Sequence, residues 1–157
     1  MVLDVICDVD GQFRRPRPEA AYRLLENEEI PGWLSMPKKG ATTVWEAWEG
    51  PGSKKGGIGS LNHYSKGAVC EWLFKTMCGI RIDSENHFTV KPVSGGSFMH
   101  AEAKYASIYG KIESGWKRNG GTTVFTVTVP PNCSATVILP DGTAFEQSAG
   151  KMTYEVK

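Results

Sequence analysis

The chain is predicted to be α+β, with helices and loops up to about residue 80 and an antiparallel β-sandwich after it. Three observations lead there. Apolar residues recur at helical spacing in EAAYRLLENE (residues 19–28) and again from Leu61 to Cys78. Beyond Ile80, apolar and polar residues alternate in short runs separated by turn residues, the pattern of a sandwich. Eighteen glycines and nine prolines supply those turns.

Residues 1–7 suit a short strand or helix stub, and QFRRPRP (residues 12–18) a proline-broken basic connector. Pro18 fits the first turn of a helix over Glu19–Glu28, which Pro31-Gly32 ends. Trp33 to Met36 is expected as a loop bearing an aromatic residue. Thr42–Trp45 has strand composition but little length. Residues 49–59 hold five glycines and a proline and read as a mobile loop with Lys54 and Lys55 at its tip. Ser60 is placed to cap one helix over Leu61–Cys78, with Leu61, Tyr64, Ala68, Trp72 and Met77 on its apolar face and Gly79 ending it.

In the second part, Phe88 and Val90, then Ala101, Ala103 and Tyr105, then Ile112, Ser114 and Trp116 alternate with polar neighbours. Asn119-Gly120-Gly121 is a hairpin turn. Thr123 to Val129 forms a strand, Pro130-Pro131-Asn132 is expected to turn the chain, and Ala135, Val137 and Leu139 lead into Pro140-Asp141-Gly142. Tyr154 and Val156 close the last strand. The domain boundary falls at residues 80/81, and a region with two helices cannot enclose a core without further partners.

The 40% hydrophobic and 22% charged content is ordinary for a globular chain, and a net charge of +1 gives no basis for nucleic-acid or membrane-surface binding. Cys7, Cys70, Cys78 and Cys133 contain no CxxC pair, so no zinc or redox site is expected, and Cys70 and Cys78 are expected as buried thiols. Residues 1–8 carry acids where a signal peptide needs an apolar run, and no segment approaches a membrane span, so a cytoplasmic location is expected.

The residues with chemistry lie between Gly40 and Met77. Glu46 stands between Trp45 and Trp48, followed by the glycine loop and then by Ser60-Leu61-Asn62-His63-Tyr64. Aromatic faces stack on a pyranose, and a carboxylate among them acts as acid, base or nucleophile. Spacing alone favours a second reading: the tryptophans as core anchors, Glu46 in solvent and His63 structural. His87, His100, Asp83 and Glu85 carry no site signal, and Glu71 reads as an exposed, ion-paired acid. Only one carboxylate has a site-like setting, whereas glycoside hydrolysis normally uses two.

GATTVWEAWEG, SLNHYSKGAVCEWLFKTMCGIR, HFTVKPVSGG, AKYASIYGKIESGWKR and FTVTVPPNCSATVILP, taken together and in order from Ala21 to Pro140, resemble the C-terminal part of bacterial α-L-rhamnosidases. The resemblance implies that residues 1–80 are the end of an (α/α)6-barrel catalytic domain and residues 81–157 the β-sandwich that follows it. It implies an inverting glycoside hydrolase acting on terminal α-L-rhamnosides without a cofactor. Glu46 matches the general base, His63 matches a sugar contact, and Trp45 and Trp48 would wall the site. The family's general acid lies in an earlier barrel segment that these residues do not include. The chain is therefore expected to be inactive alone, with a rhamnose-containing glycoside and the upstream part of the barrel, or a second copy, as partners. The competing expectations are a non-catalytic carbohydrate-binding module stacking sugars on Trp116, Tyr105 and Tyr109, and an assembly subunit docking its helical face on another chain.

Overall fold

A computed structural model describes residues 17–52 and 59–157. The stub at residues 1–7, with Cys7, most of the basic connector, and Lys54 and Lys55 lie outside the described residues. The chain divides into two compact units, Met1–Cys70 and Glu71–Lys157.

In the first unit, α1 spans Pro18–Leu25. Pro18 sits where no helical N–H partner is needed, and Glu19 in the first turn and Arg23 in the last complement the helix dipole. Its buried face is Ala21 and Tyr22, while Leu24 faces solvent. The stretch expected as a loop at Trp33–Met36 instead leads into a single helical turn, α2 at Ser35–Lys38. Ser35 Oγ donates to the Gly32 carbonyl at 2.7 Å, and Pro37 is tolerated because a first-turn N–H has no helical acceptor.

The single helix expected over Leu61–Cys78 is broken. It runs as α3 (Tyr64–Gly67), α4 (Val69–Trp72) and a π-helical turn at Leu73–Met77, where the Cys78 N–H reaches back to the Leu73 carbonyl at 3.0 Å. Ser60 does not cap it. Ser60 and His63 are tied by main-chain hydrogen bonds to Glu46 and Val44, and helical geometry starts only at Tyr64. Leu61 and Tyr64, expected on an apolar face, are exposed, Tyr64 at 86%. Cys70 is exposed rather than buried, whereas Trp72, Met77 and Cys78 are buried as expected. Glu71 pairs with Lys75 at 2.5 Å on the surface.

The second unit is a mixed six-stranded sheet: β1 (Ile80–Ile82), β2 (His87–Val90), β3 (His100–Ser107), β4 (Gly110–Asn119), β5 (Thr122–Ile138) and β6 (Ala144–Val156). The order is β1-β2-β5-β4-β3, with β6 also on β5. All the described pairings are antiparallel except β2 with β5, which is parallel, Phe88 lying opposite Ala135. That parallel pair has no counterpart in an alternation pattern, because its two strands are separated by a hairpin. The Gly120-Gly121 turn joins β4 to β5 with Asn119 opposite Thr122. Pro130-Pro131-Asn132 does not end the strand. The prolines cannot donate to the ladder, Asn132 takes φ 62°, and the register shifts between Val129 and Ser134 while β5 continues. One alternating set from each of β2, β4 and β5 forms the core: Phe88, Val90, Ile112, Trp116, Phe125 and Val127 are all buried.

Trp116 is thus part of the core, 2% exposed, and not a sugar platform. Its Nε1–H donates to the Met77 carbonyl at 2.9 Å, and Ser114 Oγ donates to the Cys78 carbonyl at 2.5 Å. The Val93 and Lys91 N–H groups take the Thr76 and Gly79 carbonyls, each at 2.9 Å. Gly79 has φ 78°, and a Cβ there would lie 2.2 Å from the Lys91 main chain, so both backbone angle and space require glycine.

Two outcomes are expected. Trp116→Phe shrinks a buried indole to a phenyl and orphans the Met77 carbonyl, so in a urea melt it should cost more than the lost hydrogen bond alone, about 1–3 kcal/mol. Burial, with a smaller contribution from Glu102, pushes the Cys78 thiol up to about 12. Its contribution to stability is complete below the ordinary thiol value of 9.0 and declines as pH rises from there toward 12. Thiol alkylation of the native chain should accordingly label Cys70 while sparing Cys78, and unfolding should expose both.

Candidate functional site

Glu46 and His63 are 17 positions apart in sequence and are brought together by main-chain pairing. The Glu46 N–H donates to the Ser60 carbonyl at 2.8 Å and the His63 N–H to the Val44 carbonyl at 2.7 Å. The two loop segments therefore lie side by side, one carrying the acid and the other the histidine. Thr43 Oγ1 donates to the Leu61 carbonyl, adding a side-chain bond between the same two segments.

The carboxylate is held from the same partner. The Ser60 N–H donates to Glu46 Oε2 at 2.8 Å, so Ser60 binds both the backbone and the side chain of Glu46. His63 Nδ1 lies 3.9 Å from the same oxygen, too far for a direct hydrogen bond but close enough for attraction when the ring is protonated. Among the described residues, no protein group donates to Oε1. Half of the Glu46 side chain and about a quarter of that of His63 are exposed to solvent. The arrangement offers one carboxylate oxygen fixed by a main-chain donor and one available to a proton-bearing ligand, with an imidazole beside it. Gly59 keeps this space open: a Cβ there would stand 3.2 Å from Oε2 and 3.3 Å from the Glu46 Cβ.

The two tryptophans are placed differently. Trp45 is buried, its ring so close to Gly50 that a Cβ at that position, where φ is 88°, would lie 2.5 Å from Cζ3. Trp48 is half-buried and meets Trp33 in a perpendicular contact, with centroids 5.7 Å apart. The Lys66 ammonium lies 3.7 Å from the Trp48 ring centroid and donates to the Glu46 carbonyl. The Trp33 Nε1–H in turn donates to the Lys66 carbonyl at 3.0 Å. Burial lowers the Lys66 pKa, and the Glu49 and Glu46 carboxylates oppose that shift. Tyr64 follows His63 with its ring 5.8 Å away and projects into solvent.

Sequence reading missed Lys66 and the part played by the Ser60 main chain, and it left Trp33 in a loop without a partner. No local motif marks any of these contacts, which span 14 to 33 positions. The remaining histidines stand elsewhere. His87 shares hydrogen bonds with Ser134 (2.8 Å) and Thr136 (3.2 Å), and His100 is exposed on β3. Among the described residues no group of three or more His, Cys, Asp or Glu side chains is arranged to hold a metal, and no helix is long and apolar enough to cross a membrane.

Comparison with known proteins assigns the chain to a family. Residues 10–77 match the bacterial α-L-rhamnosidase 6-hairpin glycosidase domain, and residues 86–154 match the bacterial α-L-rhamnosidase C-terminal domain. The chain belongs to the bacterial α-L-rhamnosidase family. It is 34% identical over 128 residues to an α-L-rhamnosidase of Streptomyces avermitilis, a match covering 78% of this chain and 12% of that protein. A crystal structure of an α-L-rhamnosidase from the same organism, complexed with L-rhamnose, superposes with a TM-score of 0.79 at 31% identity, covering 89% of this chain and 16% of that one. The native α-L-rhamnosidase of Aspergillus terreus superposes with a TM-score of 0.82 at 30% identity, over 89% and 17% of the two chains. The chain thus spans under a fifth of the rhamnosidases it matches and corresponds to their C-terminal part, and its few helices and mixed sheet are those of the family.

The Ser60 clamp on Glu46 can be observed directly. In NMR spectra the Ser60 amide resonance is expected to shift in Glu46→Gln, which weakens its acceptor, and to shift in Gly59→Ala, which displaces the carboxylate. A Ser60 amide that ignores both substitutions would contradict the clamp.

Proposed function

We propose that this chain supplies the water-activating side of a site that hydrolyses terminal α-L-rhamnosides with inversion. Glu46 is the general base: Oε2 stays bound to the Ser60 N–H while Oε1 accepts a proton from the water that attacks the anomeric carbon. His63 Nδ1 faces Glu46, so its Nε2 is the atom that hydrogen-bonds a sugar hydroxyl. Trp45 and Trp48 form the wall behind the carboxylate. The proton donor to the leaving group, which an inverting enzyme places about 6.5–9.5 Å from the base, comes from a part of the longer enzyme outside these 157 residues. Residues 1–80 are the end of its (α/α)6 barrel and residues 81–157 its β-sandwich, and the isolated chain is inactive. The observation carrying this reading is the Glu46 carboxylate, with one oxygen fixed by the Ser60 N–H and the other without a donor among the described residues, beside His63 in the segment that matches the glycosidase domain.

A second reading, sugar binding by the strand unit without catalysis, is favoured by one observation. A shallow hollow of about 500 Å³ on the sheet is lined by His100, Glu102, Lys117, Asn119, Thr126 and Lys151. Tyr105 and Tyr109 remain partly exposed on the same unit.

The chain mixed with the upstream part of the enzyme is expected to cleave an aryl α-L-rhamnoside, and the chain alone is not. Glu46→Gln should lower kcat by about 10²–10⁴-fold, the usual worth of a general base, and the sugar first released should have the opposite anomeric configuration. Full activity in Glu46→Gln would remove Glu46 from the reaction. Rhamnose-induced NMR shifts confined to the hollow would favour the second reading.

A further inference from the structure

We infer that Lys66 is a positioning residue for the Glu46 carboxylate, tying the loop that carries the acid to the helical turn that follows the histidine. The inference rests on Glu46 and His63 working together as proposed above.

Glu46 is held at three polar points. Its N–H and its Oε2 are both bound by the main chain of Ser60, and its carbonyl is bound by the Lys66 ammonium. Among the described residues, Lys66 is the one side chain that hydrogen-bonds Glu46. The same ammonium lies over the Trp48 ring at 3.7 Å, well inside the distance at which a cation is attracted to an indole face. The Lys66 carbonyl is fixed by the Trp33 Nε1–H, and Trp33 meets Trp48 edge to face. One residue of α3 therefore grips residues 46 and 48 at once, while His63 stands at the N-terminal end of the same helical turn. Because one cation serves both contacts, Lys66 reinforces the placement of Glu46 that main-chain pairing with Ser60 sets.

The charged groups around Lys66 agree with this role. Glu46 and Glu49 attract its charge from the loop, Lys39 Nζ is occupied by the Trp48 carbonyl at 3.2 Å, and His63 precedes it on the chain. Burial pulls the Lys66 pKa down against those two acids. Loss of its proton removes the cation from the Trp48 ring and leaves a neutral amine as a weaker donor to the Glu46 carbonyl.

The test has two arms. In the labelled 157-residue chain, the Trp48 indole N–H resonance should titrate in step with the Lys66 side chain, below the ordinary lysine value of 10.5. Lys66→Met should shift that resonance at neutral pH and remove the titration, while Lys66→Arg should remove the titration with a smaller shift. A Trp48 resonance indifferent to Lys66→Met overturns the inference. In the chain combined with the upstream part of the enzyme, Lys66→Met should lower kcat on the order of ten- to a hundredfold with little change in KM, as expected for a displaced catalytic group. Lys66→Arg should recover most of that loss. Unchanged kcat in Lys66→Met overturns the inference, as does a loss that follows the melting temperature and is not recovered by arginine. The Glu46→Gln control separates the two ideas. If it retains full rate, the general-base reading has failed whatever Lys66 does; if it is inactive while Lys66→Met is unimpaired, the inference alone has failed.

Discussion

Four consecutive main-chain carbonyls, from Thr76 to Gly79, govern how the helical segment ends and how the sheet begins. The last carbonyls of a helix lack partners within it, and buried ones cost about as much as a lost hydrogen bond when left unpaired. Here each is taken by a different donor: the Val93 N–H, Trp116 Nε1–H, Ser114 Oγ–H and the Lys91 N–H. Two of those donors are β4 side chains pointing into the core, so β4 can occupy only the register that presents Ser114 and Trp116 to Met77 and Cys78. Slipping by one residue would turn both donors to the outer face and Glu113 and Gly115 inward. Gly79 lets the chain reverse at that point, and β1 follows at once.

The first unit uses the same device on a smaller scale. The chain around Glu46 has few buried apolar contacts to define it. Main-chain pairing of residues 44–46 with residues 60–63 supplies the definition instead, and it also prevents Ser60 from starting the helix its composition favours. The site and the late helix start therefore have one cause.

Much of the strand unit was legible in the sequence. Phe88 and Val90, the Ile112-Ser114-Trp116 set, the Gly120-Gly121 turn and the burial of Val127, Ala135 and Val137 all follow from period-two alternation between turn residues. Trp116 shows the limit of that pattern. Alternation puts it on a face without saying whether that face is covered, and the hydrogen bond to Met77 shows why it points inward. Tyr64 and Leu61 were misplaced for the converse reason: an apolar helical stripe was read across residues that backbone pairing holds out of the helix.

The sequence by itself singled out the candidate site residues. Glu46 between two tryptophans and His63 behind a glycine loop are visible as types at spacings, and in combination they pointed to the family. Tertiary structure alone decided that Glu46 and His63 come within 3.9 Å, that Trp45 is buried while Trp48 meets Lys66, and that β2 lies parallel to β5. The physical reason is the reach of each interaction. Propensity, alternation and turn preference act over a few residues, whereas these contacts close loops of 17 to 47 positions and depend on where distant main-chain donors and acceptors find one another.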